Sequence, residues 1–169
     1  ISAAAMCAEM TLYWASKGKS LLEHLNDMYK EYGLFEDRAI SKYFPGVQGP
    51  KIMGGIMTKL RTEGLTSLGG KKVVKIRDIQ QQVAFDPANP SVKESLPWPK
   101  SNVLQFVLEG GTIVSARPSG TEPKIKFYIN STVPVSAKTD EALEEAKKAA
   151  DKLCSDISEE INAVLNAAG

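Results

Sequence analysis

The sequence predicts an α+β fold in which an antiparallel sheet carries helices on one face. Runs of alternating apolar and polar residues recur through residues 36–131, and turn signals such as Gly110-Gly111 join several of them. A long apolar stripe at helical spacing follows, from about Thr139 to Asn166. Because the connections between strands are short, we expect antiparallel pairing with the helices packed on one side.

Two helices are predicted before the first strand. Residues 3–16 are rich in alanine, and their apolar side chains occupy most of the helical circumference, which is typical of a buried helix. Gly18 ends this helix, and Ser20-Leu21-Leu22-Glu23 forms a capping box that begins a second one, which Gly33 ends. His24 lies off the apolar stripe, so we expect an exposed or half-exposed residue without a catalytic role.

A strand over residues 36–44 and a third helix follow. Pro50 suits the first turn of this helix, and Gly64 suits its carboxyl end. Gly54-Gly55 lies inside it, where two glycines cost about 1–2 kcal/mol relative to alanine. Either the helix approaches a sheet closely at this point, or its boundary is misplaced by a turn.

The middle of the chain contains further strands. Residues 71–79 predict a strand with Val74 and Ile76 on one face. Residues 80–100 are polar and proline-rich, which favours a loop with little regular structure, although a short strand within it is left open. Residues 101–109 alternate, with Leu104, Phe106 and Leu108 inward, and Gly110-Gly111 indicates a two-residue hairpin.

The stretch from Arg117 to Tyr128 has the pattern strand, tight loop, strand. Val114 and Ala116 lie opposite Ile113, Ser115 and Arg117 on the strand before the loop. On the strand after it, Ile125, Phe127 and Ile129 share one face, while Lys124, Lys126 and Tyr128 share the other. The loop is therefore flanked by cationic side chains on both strands.

This composition suits a phosphate group. Arg117 offers a planar fork of donors, Ser119 and Thr121 offer hydroxyls, and Gly120 allows close backbone approach or a positive φ. Lys126 and Lys124 add positive charge with less directionality. From the residues alone, an ordinary hairpin loop beside a solvated basic strand explains the pattern equally well.

The run Arg117–Tyr128 resembles, without a gap, the phosphate-binding loop of the C-terminal domain of the α-D-phosphohexomutases, the phosphoglucomutase and phosphomannomutase enzymes. Leu96-Pro97, Lys100–Leu104 and Leu108–Gly110 also resemble the strand that precedes this loop in the family. The resemblance implies that residues 36–169 form a TATA-binding-protein-like C-terminal domain. It further implies that residues 1–35 are the helical tail of the third domain.

The resemblance also implies roles for individual residues. Enzymes of this family move a phosphoryl group between positions 1 and 6 of a hexose, and the fourth domain holds the phosphate that is not reacting. Six loop and strand residues would share that task or support it: Arg117, Ser119, Gly120, Thr121 and Lys126, with Lys124 as a further possibility. Glu122 has the wrong charge for a phosphate, so we expect it to orient the loop or to pair with Arg117 when the site is empty.

The family's catalytic parts are absent from this sequence, which contains no Ser-His-Asn nucleophile loop, no Asp-Gly-Asp metal loop and no Gly-Glu-Glu-Ser sugar loop. We therefore assign no catalytic residue and no metal ligand. The resemblance implies Mg²⁺ in the full-length enzyme, at a site outside this chain, and an isolated chain that is inactive. The alternative is a stand-alone phosphosugar-binding, anion-binding or regulatory module without catalysis.

Composition limits the partners. The net charge of +1 gives no reason to expect nucleic acid, and no apolar run is long enough for a membrane span. Cys7 and Cys154 are expected to stay reduced, as in a cytoplasmic protein. Because the chain begins without Met, we expect an expressed fragment or a processed chain whose start lies inside a larger protein. The expected partners are a hexose phosphate or bisphosphate and the missing N-terminal domains. Residues 3–16 could also cause self-association. The sequence does not indicate which sugar phosphate the enzyme uses.

Overall fold

The computed structural model describes residues 1–167. These residues form four helices and eight strands. The helices are α1 (Ser2–Ser16), α2 (Leu21–Tyr32), α3 (Gly49–Thr62) and α4 (Asp140–Asn166). The strands are β1 (Leu34–Tyr43), β2 (Ser67–Leu68), β3 (Lys71–Asp78), β4 (Val83–Asp86), β5 (Asn89–Ser95), β6 (Leu104–Leu108), β7 (Ile113–Pro118) and β8 (Lys124–Val133).

The strands form one sheet in the order β1-β8-β7-β6-β3-β4-β5, with the short β2 paired to β3. The pairings β3–β4, β4–β5, β3–β6, β6–β7 and β7–β8 are all antiparallel. Helices α3 and α4 supply apolar side chains to the core on one side of the sheet. The predicted α+β class, with an antiparallel sheet and helices on one side, is confirmed.

The chain divides into two compact units. The first comprises Ile1–Phe35 and Val133–Ala149, and the second comprises Glu36–Thr132 and the chain from Ala150 onward. Helix α4 contributes to both units. The sequence suggests two domains, residues 1–35 and residues 36–169, and this division stays a prediction.

The core of the second unit lies between the sheet and the two helices. The strands contribute alternate residues, among which Phe106, Phe127 and Ile129 are fully buried. Leu104, Phe106 and Leu108 point inward as predicted. The helices contribute seven buried residues: Ile56, Met57, Leu60, Cys154, Ile157, Ile161 and Leu165. Burial of one such large apolar side chain stabilises the fold by about 1.5–3 kcal/mol.

The first unit contains the capping box that the sequence predicts. The Glu23 backbone N–H donates to Ser20 Oγ at 3.2 Å, and the Ser20 N–H donates to Glu23 Oε2 at 2.7 Å. His24 is half-buried and stacks on Trp14, with ring centroids 3.7 Å apart. The expected half-exposed position of His24 is thus confirmed.

The prediction that α1 is a buried helix is wrong for this chain. None of its residues is buried, and Met6 and Leu12 are 70% and 72% exposed. An apolar circumference shows what surroundings a helix prefers, but the residues that the structure describes supply no surface that covers this one. They include no helix long and apolar enough to cross a membrane.

Two predictions about β3 and the segment after it also fail. Val73 is buried and Val74 is 39% exposed, because the register with β6 shifts between Val73 and Lys75 and reverses the alternation. Residues 80–100 are not a loop with little structure, since β4 and β5 form a hairpin there. The whole of β5 is exposed at the sheet edge, so it carries no apolar pattern that would reveal a strand.

Two predictions about glycines need correction as well. A Cβ at Gly54 or Gly55 would meet nothing within 4 Å, and both residues are exposed, so α3 does not approach the sheet there. The β6–β7 hairpin is one residue longer than predicted, because Leu108 N–H donates to Thr112 O and leaves Glu109, Gly110 and Gly111 in the connection. Gly110 and Gly111 have φ values of +90° and +93°, which explains why glycine occupies both positions.

Candidate functional site

The loop between β7 and β8 is closed by its own backbone. The Ser119 N–H donates to Lys124 O at 2.8 Å, and the Lys124 N–H donates to Glu122 O at 2.8 Å. The Thr121 N–H reaches Ser119 Oγ at 3.4 Å. Pro118 ends β7, and its fixed φ limits the freedom of the chain as it enters the loop. The five-residue connection 119–123 is therefore held in a compact form by its own backbone.

The start of α3 and the residue after β1 pack against this loop. Phe44 N–H donates to Pro123 O at 2.8 Å, which ties the end of β1 to the loop. Gly49 is buried there, and a Cβ on it would lie 2.0 Å from Phe44 O and 2.9 Å from Pro123 Cβ. Only glycine fits this position without moving backbone. The Gly49-Pro50 pair therefore fixes the beginning of α3 and its close approach to the loop at Pro123.

The charges around the loop are unevenly matched. Arg117 lies directly opposite Lys126 in the β7–β8 register, so two cations face each other on neighbouring strands. Like charges placed this way destabilise a sheet by about 0.2–1 kcal/mol. Among the described residues, neither side chain has a carboxylate partner, whereas Arg38 is bound to Asp151 and Arg61 to Asp78. An anion between Arg117 and Lys126 would relieve this repulsion.

A cavity of about 390 Å³ opens at this point. It brings together every site residue predicted from the sequence, and Pro118 and Tyr128 line it as well. The predicted residues in its wall are Arg117, Ser119, Gly120, Thr121, Glu122, Lys124 and Lys126. Sequence reasoning placed Tyr128 on the same strand face as the lysines but gave it no role. The period of two along β8 was the signal that it belongs to the cavity.

Gly120 keeps the cavity open. Its φ is not in the left-handed region, so the loop does not use the unusual backbone conformation that glycine allows. A Cβ on it would meet nothing within 4 Å, which shows that the space above it is free. Of the two reasons the sequence offered for glycine here, room for a ligand to approach the backbone is the one that fits the geometry.

Glu122 pairs with Lys124 and not with Arg117. The hydrogen bond from Lys124 holds the pKa of Glu122 below its usual value, with the charge of Lys124 acting in the same direction. Glu122 therefore stays ionised at neutral pH and compensates the charge of Lys124. The charge of Lys126 also lowers the pKa of Glu122, but neither Arg117 nor Lys126 forms an ion pair with a carboxylate among the described residues.

The other cavities of the second unit differ in character. A larger cleft of about 600 Å³ between α3 and the end of α4 is mainly apolar, with Leu60, Leu65 and Val164 in its wall. A third, of about 300 Å³, lies beside Asp78, whose carboxylate is already bound by Arg61 and by two backbone N–H groups. Within residues 1–167, no group of three or more His, Cys, Asp and Glu side chains could hold a metal ion.

The cysteines are unpaired, as expected. Cys7 is exposed and Cys154 is buried. Burial raises the pKa of the Cys154 thiol, so this thiol is protonated and unreactive at neutral pH. Neither cysteine belongs to the cavity at the β7–β8 loop.

The part of the chain that contains this cavity is similar to known proteins. A family described as phosphoglucomutase/phosphomannomutase, C-terminal domain, matches residues 58–148, which include the loop. A phosphoglucomutase of Staphylococcus epidermidis is 36% identical over 115 residues, covering 68% of this chain and 21% of that protein. One of Staphylococcus saprophyticus is 37% identical over 116 residues, covering 69% and 21%. One of Staphylococcus aureus is 34% identical over 127 residues, covering 75% and 22%. The chain spans about a fifth of the length of these relatives.

Proposed function

The chain belongs to the phosphoglucomutase/phosphomannomutase family through that family's C-terminal domain, and from this premise we propose that its β7–β8 loop holds the non-reacting phosphate of a hexose phosphate. The transfer would move a phosphoryl group between positions 1 and 6 of the sugar. The observation that carries the proposal is the cavity in which Arg117 and Lys126 face each other without carboxylate partners among the described residues.

Each lining residue has a role in this proposal. The Arg117 guanidinium donates to two phosphate oxygens at once, which fixes the orientation of the group. The Ser119 and Thr121 hydroxyls and the Gly120 backbone N–H donate to the remaining oxygens. Lys126 balances charge from the opposite strand. Lys124 contributes less, because Glu122 already compensates it.

A site of this kind serves an enzyme that must accept either end of a bisphosphorylated sugar. Binding energy from the phosphate that does not react is available to orient the reacting end and to close the cleft. The loop is backbone-closed before binding, so little of that energy goes into ordering it. The site thus contributes positioning, and the bond changes take place elsewhere.

The chemical steps are proposed to belong to other parts of a longer enzyme, an intramolecular phosphotransferase. The residues described here do not fit a magnesium site, since they include no group of His, Cys, Asp and Glu side chains that could hold a metal ion. We accordingly propose that this chain alone is inactive as a mutase. The proposed ligand is a hexose phosphate or bisphosphate. The proposed partners are the other domains of the same enzyme, and the proposed location of that enzyme is the cytoplasm.

Replacing Arg117 by alanine tests the assignment. Charged hydrogen bonds contribute about 1.5–3 kcal/mol, so Arg117→Ala should lower the affinity for inorganic phosphate, measured by calorimetry, by about tenfold or more. In the full-length enzyme, kcat/KM should fall by a similar factor of about ten or more. Lys148→Ala is the matched control, because Lys148 is exposed on α4, outside the cavity-lining set, and its loss changes the net charge equally. Equal behaviour of the two variants would refute the assignment.

A further inference from the structure

We propose that Tyr128 extends this phosphate site into a subsite for the sugar ring of the same ligand. The inference rests on the proposed function, since it places the ring next to a phosphate held by Arg117 and Lys126. Tyr128 lines the same cavity as these two residues. It follows Lys126 by two positions on β8 and therefore shares its strand face.

The size of the cavity exceeds what a bare phosphate needs. At about 390 Å³ it lies within the range of roughly 300–1,000 Å³ in which proteins bind small organic molecules. The loop residues surround the phosphate end with donors and charge. Tyr128 is the one aromatic side chain among the residues that line the cavity. Space and an aromatic wall thus remain for the part of the ligand beyond the phosphate.

The chemistry of tyrosine matches a sugar ring. Its flat face offers an apolar surface to the C–H groups of a pyranose, and its hydroxyl both donates and accepts hydrogen bonds with sugar hydroxyls. The cations alone would recognise any phosphate. A contact from Tyr128 would instead distinguish a sugar phosphate from inorganic phosphate.

Tyr128 is also not required for the core. Ile125, Phe127 and Ile129 face the helices and are fully buried, while Tyr128 lies on the opposite face and is half-buried. Such a residue is free to contact a ligand without weakening the packing of the sheet.

A row of polar side chains lies next to Tyr128 on that face of the sheet. Ser115 lies directly opposite Tyr128 in the β7–β8 register. Gln105 Nε2 donates to Ser115 Oγ at 3.2 Å, and Arg77 Nη1 donates to Gln105 Oε1 at 3.4 Å. Side chains directly opposite each other on antiparallel strands are in contact distance. Tyr128 therefore lies next to a hydrogen-bonded polar row on β7 and β6, and it lines the cavity on the same face of the sheet.

The test compares two ligands on the same chain by calorimetry: inorganic phosphate and glucose 1-phosphate. The unmodified chain should bind glucose 1-phosphate more tightly. Tyr128→Ala should lower the affinity for glucose 1-phosphate by about two- to tenfold, the range expected for an aromatic contact, and leave the affinity for inorganic phosphate unchanged. Tyr128→Phe should retain part of the difference, because the ring remains. Tyr32→Ala, on exposed α2, is the control for loss of a tyrosine.

The outcomes separate the two proposals. If Tyr128→Ala weakens both ligands equally, or neither, the sugar subsite is refuted while the phosphate site stands. If Tyr128→Ala unfolds, the folded Tyr128→Phe variant decides through the hydroxyl contribution. A reduced preference for glucose 1-phosphate in this variant supports the subsite, and an unchanged preference refutes it. If the unmodified chain binds neither ligand, the phosphate site and the subsite fail together.

Discussion

Glu122 is the one acidic side chain among the residues that line the cavity, and it shows how a single residue adjusts the site. Its hydrogen bond from Lys124 lowers the pKa of the carboxyl group. The ion pair is therefore fully formed at pH values above the usual carboxyl pKa, and it is lost only as the pH falls through the lowered pKa. At neutral pH the carboxylate therefore opposes an incoming anion and occupies one of the available cations.

Removing this charge should strengthen phosphate binding. Glu122→Gln keeps the shape of the side chain but frees Lys124, so we expect the affinity for inorganic phosphate at pH 7 to rise by about two- to fivefold, the scale of an exposed ion pair. Calorimetry at low and high ionic strength measures it, and the gain should shrink with added salt. Glu109→Gln, outside the lining residues, is the control. An unchanged or weaker affinity would show that Glu122 organises the loop instead.

At this scale the sequence predicts side-chain faces well and partners poorly. The alternation along β8 correctly places Lys124, Lys126 and Tyr128 on one face, because a regular strand has a period of two. It misplaces Val74, where a register shift interrupts the strand. The ion-pair partner of Glu122 depends on the backbone conformation of the loop, which the sequence does not reveal.

At the scale of elements, α3 offers a direct test of the two ways in which glycine is used. Gly54 and Gly55 are exposed helical residues with free space around them, so replacing each by alanine should stabilise the chain by about 1 kcal/mol. Gly49→Ala should destabilise it, because the new Cβ would overlap Phe44 O. Urea unfolding of the three variants gives both signs. A destabilising Gly54→Ala would mean that the glycine pair has a role that the geometry does not show.

Elements with a buried face are the ones that the sequence predicts. Strand β6 and helix α4 each carry a regular apolar pattern, because one side of each packs into the core. The β4–β5 hairpin lacks such a pattern, since β5 is exposed along its whole length and includes Pro90. Its pairing depends on backbone hydrogen bonds that composition does not indicate.

At the scale of the whole molecule, α1 raises the question of what covers an apolar helix that this chain leaves exposed. Contiguous apolar surface of this kind marks an interaction site. We propose self-association through residues 3–16 when the other domains are absent. Met6→Glu with Leu12→Glu should shift the chain toward monomer in sedimentation velocity, while Lys17→Glu, at the end of α1, serves as a charge control. A concentration-independent monomer for the unmodified chain would contradict this expectation.

The fold class could be predicted from the sequence, whereas the exposure of α1 could not. Hairpin signals and periodic apolar stripes report how a chain pairs and packs with itself. The composition of α1 indicates a preference for burial, but none of its residues is buried among the described residues.

We propose that residues 117–126 form a phosphate site whose loop is closed by its own backbone. The most direct measurement is an NMR titration of the chain with inorganic phosphate and with glucose 1-phosphate, following the backbone amides of these residues. We predict saturable shifts concentrated at Ser119, Gly120 and Thr121 and along the start of β8, and their loss in Arg117→Ala. Titration to millimolar ligand without shifts in this loop would contradict the account and leave the loop as a turn between two strands.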